Sequence, residues 1–102
     1  MIVVSSDMMR LAASYRDKAI NHCKKQEYFD VLTYASKCSK IFKVNEKDHI
    51  ELIAFKKQNH LKAYEILRDC YIYSSIAYLQ LNQHSQAIDL LNEVIMAEPE
   101  RV

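Results

Sequence analysis

Apolar residues recur at intervals of three and four through most of this chain, the pattern of helices that bury one face. The first stretch runs from about Asp7 to Lys25, with Met8, Leu11, Ala12, Tyr15, Ala19, His22 and Cys23 on one stripe and Ser5 or Ser6 placed to cap its start. The polar cluster Lys24-Lys25-Gln26-Glu27 closes it. A second stretch, about Glu27 to Lys43, repeats the pattern with Tyr28, Val31, Leu32, Ala35, Cys38, Ile41 and Phe42. Asp48 and Glu51 have capping-box spacing ahead of Ile50, Ile53 and Ala54. From there apolar positions continue, weakly through Lys56-Lys57-Gln58-Asn59 and strongly from Leu61, to about Leu81. Unbroken, this third helix has about 35 residues and is ~50 Å long; a break near Gln58–His60 is the alternative, although neither Gly nor Pro demands one. Asn82, which tolerates the left-handed conformation, reads as a stop. The last stretch, about Ser85 to Glu98, buries Ala87, Leu90, Leu91, Val94 and Ile95, and Pro99 ends it.

Composition sharpens this reading. The 102 residues include no glycine and one proline, where average usage would supply about seven glycines. Phosphate loops of the Walker or dinucleotide-binding type are thereby excluded, and β-sandwiches and barrels lose the residue their turns need. We therefore expect one all-α domain over residues 1–102, with about four helices and an elongated third. A net charge of +1 gives no reason to seek nucleic acid or anionic lipid. The charge is nonetheless uneven. Residues 1–62 hold 12 Lys/Arg against 7 Asp/Glu (+5), and residues 63–102 hold 2 against 6 (−4), which is either incidental or orients a partner or a second copy. Cys23, Cys38 and Cys70 are odd in number and lie among apolar residues, so reduced, buried thiols are expected. Met1–Val4 lacks the make-up of a signal peptide and no stretch approaches 18 apolar residues, so the expectation is a cytoplasmic protein without a membrane span.

An internal repeat emerges on comparing the two ends of the chain. Tyr71, Ser75, Tyr78, Ala87, Leu91, Val94 and Pro99 have the order and spacing of large aromatic, small, aromatic, small, bulky apolar, small apolar and closing proline positions in a helix–turn–helix unit. Shifting back by 56 residues finds Tyr15, Ala19, His22, Val31, Ala35 and Cys38. Over residues 8–43 and 68–99 the chain resembles the tetratricopeptide repeat family. The spacing departs from the family's ~34 residues, because residues 45–67 are inserted before the second unit. That layout is similar to the first repeats of co-chaperones of the large-immunophilin type. Their carboxylate clamp is not carried over: Arg16 stands where a clamp Lys belongs, Ile20 in place of an Asn, and Tyr73 in place of another.

The resemblance implies a protein-binding groove on the first helix of each unit, lined here by Arg16, Ile20, Cys23 and Lys24 and by Ile72, Tyr73, Ile76, Leu79 and Gln80. Ile72, Ile76 and Leu79 flank the stripe Tyr71, Ser75, Tyr78, so that helix is apolar nearly all round, and such helices are covered on both sides. Either the arm Met1–Val4 or the first helix fills the groove, or it takes an apolar or amphipathic segment of a protein partner, with Arg16 and Lys24 at its edge. Terminal repeats need a polar cap, and with Val102 closely following the second unit, Ile88, Leu90, Val94 and Ile95 suggest a homodimer or a longer array. A structural self-assembly domain is accordingly the alternative function.

Enzyme chemistry finds little footing. His22, Cys23, Cys38, His49, His60, Cys70 and His84 form no i, i+4 pair and no CxxC, so no metal or other cofactor is expected. His22 stands in for the repeat's aromatic; His49, His60 and His84 read as surface or turn residues. The carboxylates Asp17, Glu27, Asp30, Glu46, Glu51, Glu65 and Asp89 are scattered on polar faces, and Lys24-Lys25 and Lys56-Lys57 are too small a patch for nucleic acid.

Overall fold

The computed structural model describes residues 2–42 and 51–99 and, among these, contains five helices and no strand: α1 (Ser6–Lys24), α2 (Tyr28–Lys40), α3 (Leu52–Lys57), α4 (Leu61–Gln80) and α5 (His84–Ala97). Ser5 caps α1, its hydroxyl accepting from the Met8 N–H at 3.1 Å, with Asp7 in the first turn where the helix dipole favours an anion. Asp48 of the expected capping box lies outside the described residues; Glu51 flanks α3 without a side-chain cap bond.

Three helices stop in the same way. After α1, α3 and α4 the residues Gln26, Asn59 and Asn82 adopt φ of 61°, 63° and 60°. Each turn then closes with a six-residue and a four-residue backbone bond: Glu27 N–H to His22 C=O (2.9 Å) with Gln26 to Cys23 (3.0 Å), His60 to Phe55 (2.8 Å) with Asn59 to Lys56 (3.1 Å), and Gln83 to Tyr78 (2.8 Å) with Asn82 to Leu79 (3.2 Å). These are Schellman turns built without glycine. The turn at Asn59 corrects the expectation of an elongated third helix: its described part is two helices, α3 and α4, which makes five among the described residues instead of about four. A left-handed residue with a Cβ costs about 1–2 kcal/mol, so Gln26→Gly is expected to raise stability by up to about 1 kcal/mol, the glycine's greater unfolded-state entropy offsetting part of the relief. Urea denaturation of Gln26→Gly beside Asn82→Gly checks this, and the larger gain belongs to glutamine, the less tolerant residue.

Packing centres on α4, which touches α1, α2, α3 and α5. This accounts for its apolar residues on several faces: Ala63, Tyr64, Ile66, Leu67, Cys70, Ser74, Ser75 and Ala77 are all buried. The larger core joins Ala12, Ala35, Cys38, Phe42, Leu52, Phe55, Ala63, Tyr64, Ile66, Leu67, Cys70 and Ala97, with Phe42 and Phe55 edge to face at 5.6 Å. A smaller one places Ala19, Val31 and Ala77 together under Tyr28, Leu32, Tyr34 and Tyr73. The small residues Ala12, Ala19, Ala35, Ser75, Ala77 and Ala87 are all buried, and Ser75 satisfies its buried hydroxyl by donating to the Tyr71 carbonyl at 2.7 Å. Leu11 and Ile95 depart from the expected stripes by being exposed. Leu11 lies about 100° round its helix from Ala12, and Ile95 about 200° from Ala97, outside the arcs that α1 and α5 present to their neighbours.

The amino-terminal arm takes a course of its own. Ile2 and Val4 pack on the larger core, and the Ile2 N–H donates to Gln58 Oε1 at 3.0 Å. The arm therefore reaches the α3–α4 junction, where Val4, Met9 and residues Asn59 to Ala63 surround a cleft of about 310 Å³. The end of α4 that carries Ile76 and Leu79 stays uncovered by it.

Candidate functional site

The residues expected to line the groove are placed unequally. Arg16 on α1 bridges to α4, its guanidinium 3.6 Å from Asp69 and 3.2 Å from Asp17, so it fastens the two helices together. Tyr73 turns inward against the Ala19–Val31–Ala77 cluster. Ile20, Cys23 and Ile72 are half-buried and Lys24 and Gln80 are exposed. Ile76 and Leu79 keep 37% and 41% of their surface in water. Of the repeat-packing set, Ala19, Ser75 and Ala87 are buried, Tyr15, Tyr71, Tyr78, Leu91 and Val94 half-buried, and Pro99 is exposed beyond the end of α5. On α5 itself Ile88, Ile95 and Met96 face solvent, and Met96 borders a cleft of about 250 Å³ with Glu51, Leu52, Ile53, Asp89 and Glu93.

Two constellations fall outside the sequence reading. The first is a clamp at the end of α5. Arg68 Nη1 donates to the buried Glu98 at 3.2 Å and lies over the Tyr64 ring, which Lys56 covers as well; Lys56 also donates to the Ala97 carbonyl at 2.7 Å. Burial disfavours the charged guanidinium, but the hydrogen bond to Glu98 and the charges of Asp69 and Glu98 outweigh it and raise the Arg68 pKa. The second lies at the α1–α2 turn, where Glu27 Oε1 is 3.0 Å and Asp30 Oδ2 3.9 Å from His22 Nδ1. Scanning histidines and cysteines at helical spacing overlooks this group, because a turn and not a helix face brings positions i, i+5 and i+8 together. The ring of His22 stacks on Tyr34 (5.2 Å, 7°), which continues to Tyr15 at 6.2 Å, and Lys18 and Lys37 lie over both tyrosines.

The thiols are arranged for inertness. Cys38 and Cys70 are buried across the α2–α4 contact, and Cys23 is half-buried. Sharing a hydrogen bond with Cys38, together with burial, pushes the Cys70 thiol far up, while partial burial raises the Cys23 thiol from its ordinary value. Burial and the nearby Glu93 raise Tyr71. Cys70 and Tyr71 hold their protons more tightly folded than unfolded, so alkali ionises the unfolded chain first. Stability is then complete at neutral pH and falls as pH rises above about 8.5 for the thiol and about 10 for the phenol. Urea midpoints at pH 7, 9 and 10.5 are expected to decline in that order, and Cys70→Ala to flatten the first step.

No family model, curated protein or solved structure matches the chain. No helix among the described residues is long and apolar enough to cross a membrane.

Proposed function

We propose that the protein is a helical-repeat module for protein–protein interaction, which takes an apolar or amphipathic segment of a partner along α1 and α4. The observation that carries this reading is the state of α4. It packs against four helices and buries eight of its residues, yet its last turns leave Ile76 and Leu79 more than a third exposed, with Ile72 half-buried beside them. Apolar side chains in a row at the edge of a rigid scaffold are the usual anchors for a helical or extended partner segment.

The repeat reading draws support from a coincidence of period. The left-handed turns at Gln26 and Asn82 are 56 residues apart, the same shift that aligns Tyr15 with Tyr71, Ala19 with Ser75 and Val31 with Ala87. Each hairpin, α1–α2 and α4–α5, is closed by the same pair of backbone bonds, and α4 lies against both helices of the first hairpin. This is the order of contacts expected of two stacked tetratricopeptide-like units, with α3 inserted between them. The exposed Ile88, Ile95 and Met96 on α5 favour self-association as the second reading.

The test is Ile76→Asp combined with Leu79→Asp. Proteins captured by the wild type from cell extract are expected to be lost by at least about tenfold, roughly 1.4 kcal/mol, while circular dichroism shows the helices intact. Equal capture by the folded variant defeats the groove reading. If light scattering instead shows a mass that rises with concentration in the wild type and not in Ile88→Asp, self-association is the function of the exposed surface.

A further inference from the structure

We infer that the α1–α2 turn is a divalent transition-metal site in which His22 Nδ1, Glu27 and Asp30 supply three ligands. One ligand atom from each residue lies within 4.8 Å of the other two, and His22 is 3.0 Å from Glu27 and 3.9 Å from Asp30. A tetrahedral Zn²⁺ with bonds of about 2.0–2.2 Å holds its ligands about 3.4 Å apart, so small rotations of partly exposed side chains suffice. One imidazole with two carboxylates suits ions of the zinc type better than Mg²⁺ or Ca²⁺, which favour oxygen alone. Three protein ligands leave a fourth position for water.

The alternative is that the histidine–carboxylate contacts serve only to close the turn. The chain carries its own control against this. In the second hairpin the positions 56 residues on are Tyr78, Gln83 and Gln86, which have no such chemistry, yet that turn closes with matching bonds of 2.8 and 3.2 Å and the same left-handed φ. The turn does not require the triad. What the first hairpin adds is a ring held in plane by Tyr34, from a helix that also delivers Asp30, so two ligand-bearing elements are preset relative to each other. Lys18 and Lys37 are held over the Tyr15 and Tyr34 rings. The carbonyl end of α1 adds partial negative charge, and the amino end of α2 opposes it.

The experiment titrates the ¹⁵N-labelled full chain with ZnCl₂, following backbone amides and imidazole nitrogens by NMR and the heat by calorimetry. One equivalent is expected to bind, moving the His22 Nδ1 resonance and the amides of residues 22–30. His22→Ala, Glu27→Gln and Asp30→Asn are each expected to weaken binding by at least about tenfold, the lower end of what even an outer-shell change costs a metal site. The triple variant His22→Tyr, Glu27→Gln, Asp30→Gln copies the second hairpin, so it keeps the fold and abolishes binding, while His60→Ala and His84→Ala leave it unchanged. Absence of binding, or binding that survives the triple variant, overturns the assignment.

Discussion

Phe55→Ala is expected to destabilise the protein by about 3–5 kcal/mol, the usual range for deleting a buried aromatic ring, out of the ~5–15 kcal/mol that a domain commonly has. Phe55 is 1% exposed, packs edge to face on Phe42 and belongs to the larger core. The effect reaches beyond the cavity. α3 has six residues, too few to be helical without tertiary contacts, and Leu52 and Phe55 are its two buried side chains. Truncating one of them releases the turn at Asn59, the arm that bonds Gln58, and the contacts α3 makes with α4 and α5. A fall in Tm of at least about 12 °C and loss of amide protection in α3 before α1 are the results to look for. Phe29→Ala makes the control: Phe29 is 71% exposed, and its removal is expected to stay within about 0.5 kcal/mol.

The second large effect concerns the clamp that holds the end of α5. Arg68→Met deprives Glu98 of the guanidinium 3.2 Å away, and Glu98 keeps only 8% of its side-chain surface in water against 20% for Arg68. Breaking a fully buried ion pair costs about 3–5 kcal/mol because one charge is left in a poor solvent. With a fifth of the Arg68 side chain in water, about 2–3 kcal/mol is expected, read as a shift in urea midpoint with unchanged slope. The double variant Arg68→Met with Glu98→Met is expected to recover most of the loss, since apolar side chains replace a pair whose desolvation was costly. No recovery would mean that the Arg68 guanidinium contributes mainly by lying over the Tyr64 ring and not by pairing with Glu98. Hydrogen exchange locates the damage: the last turn of α5, where Lys56 also bonds the Ala97 carbonyl, opens first.

Much of this arrangement is legible in the amino-acid order. Period and capping locate α1, α2 and α5 to within a residue or two over their described extents, and Asn82 marks the stop of α4. The groove residues were less so. Arg16 and Tyr73 share the outward register of Ile20 and Ile76 by periodicity, yet one is drawn into an ion pair with Asp69 and the other into the smaller core. Periodicity assigns a residue to a side of its helix. It does not say which neighbouring helix will lie there.

By itself the sequence determined that the chain is helical, for a physical reason that acts locally: with no glycine, and proline only at position 99, no helix breaker falls inside the three-to-four-residue alternation that lets each helix bury a stripe. Only the tertiary structure decided where the long third stretch divides. An asparagine in the left-handed region is unfavourable taken alone, and Asn59 accepts it because the resulting bend lets Leu52 and Phe55 reach the core shared with Phe42 and Ala97. The same logic governs His22, Glu27 and Asp30. His22 closes α1, Glu27 precedes α2 and Asp30 lies in its first turn, and the left-handed Gln26 between them turns three separate positions into one cluster.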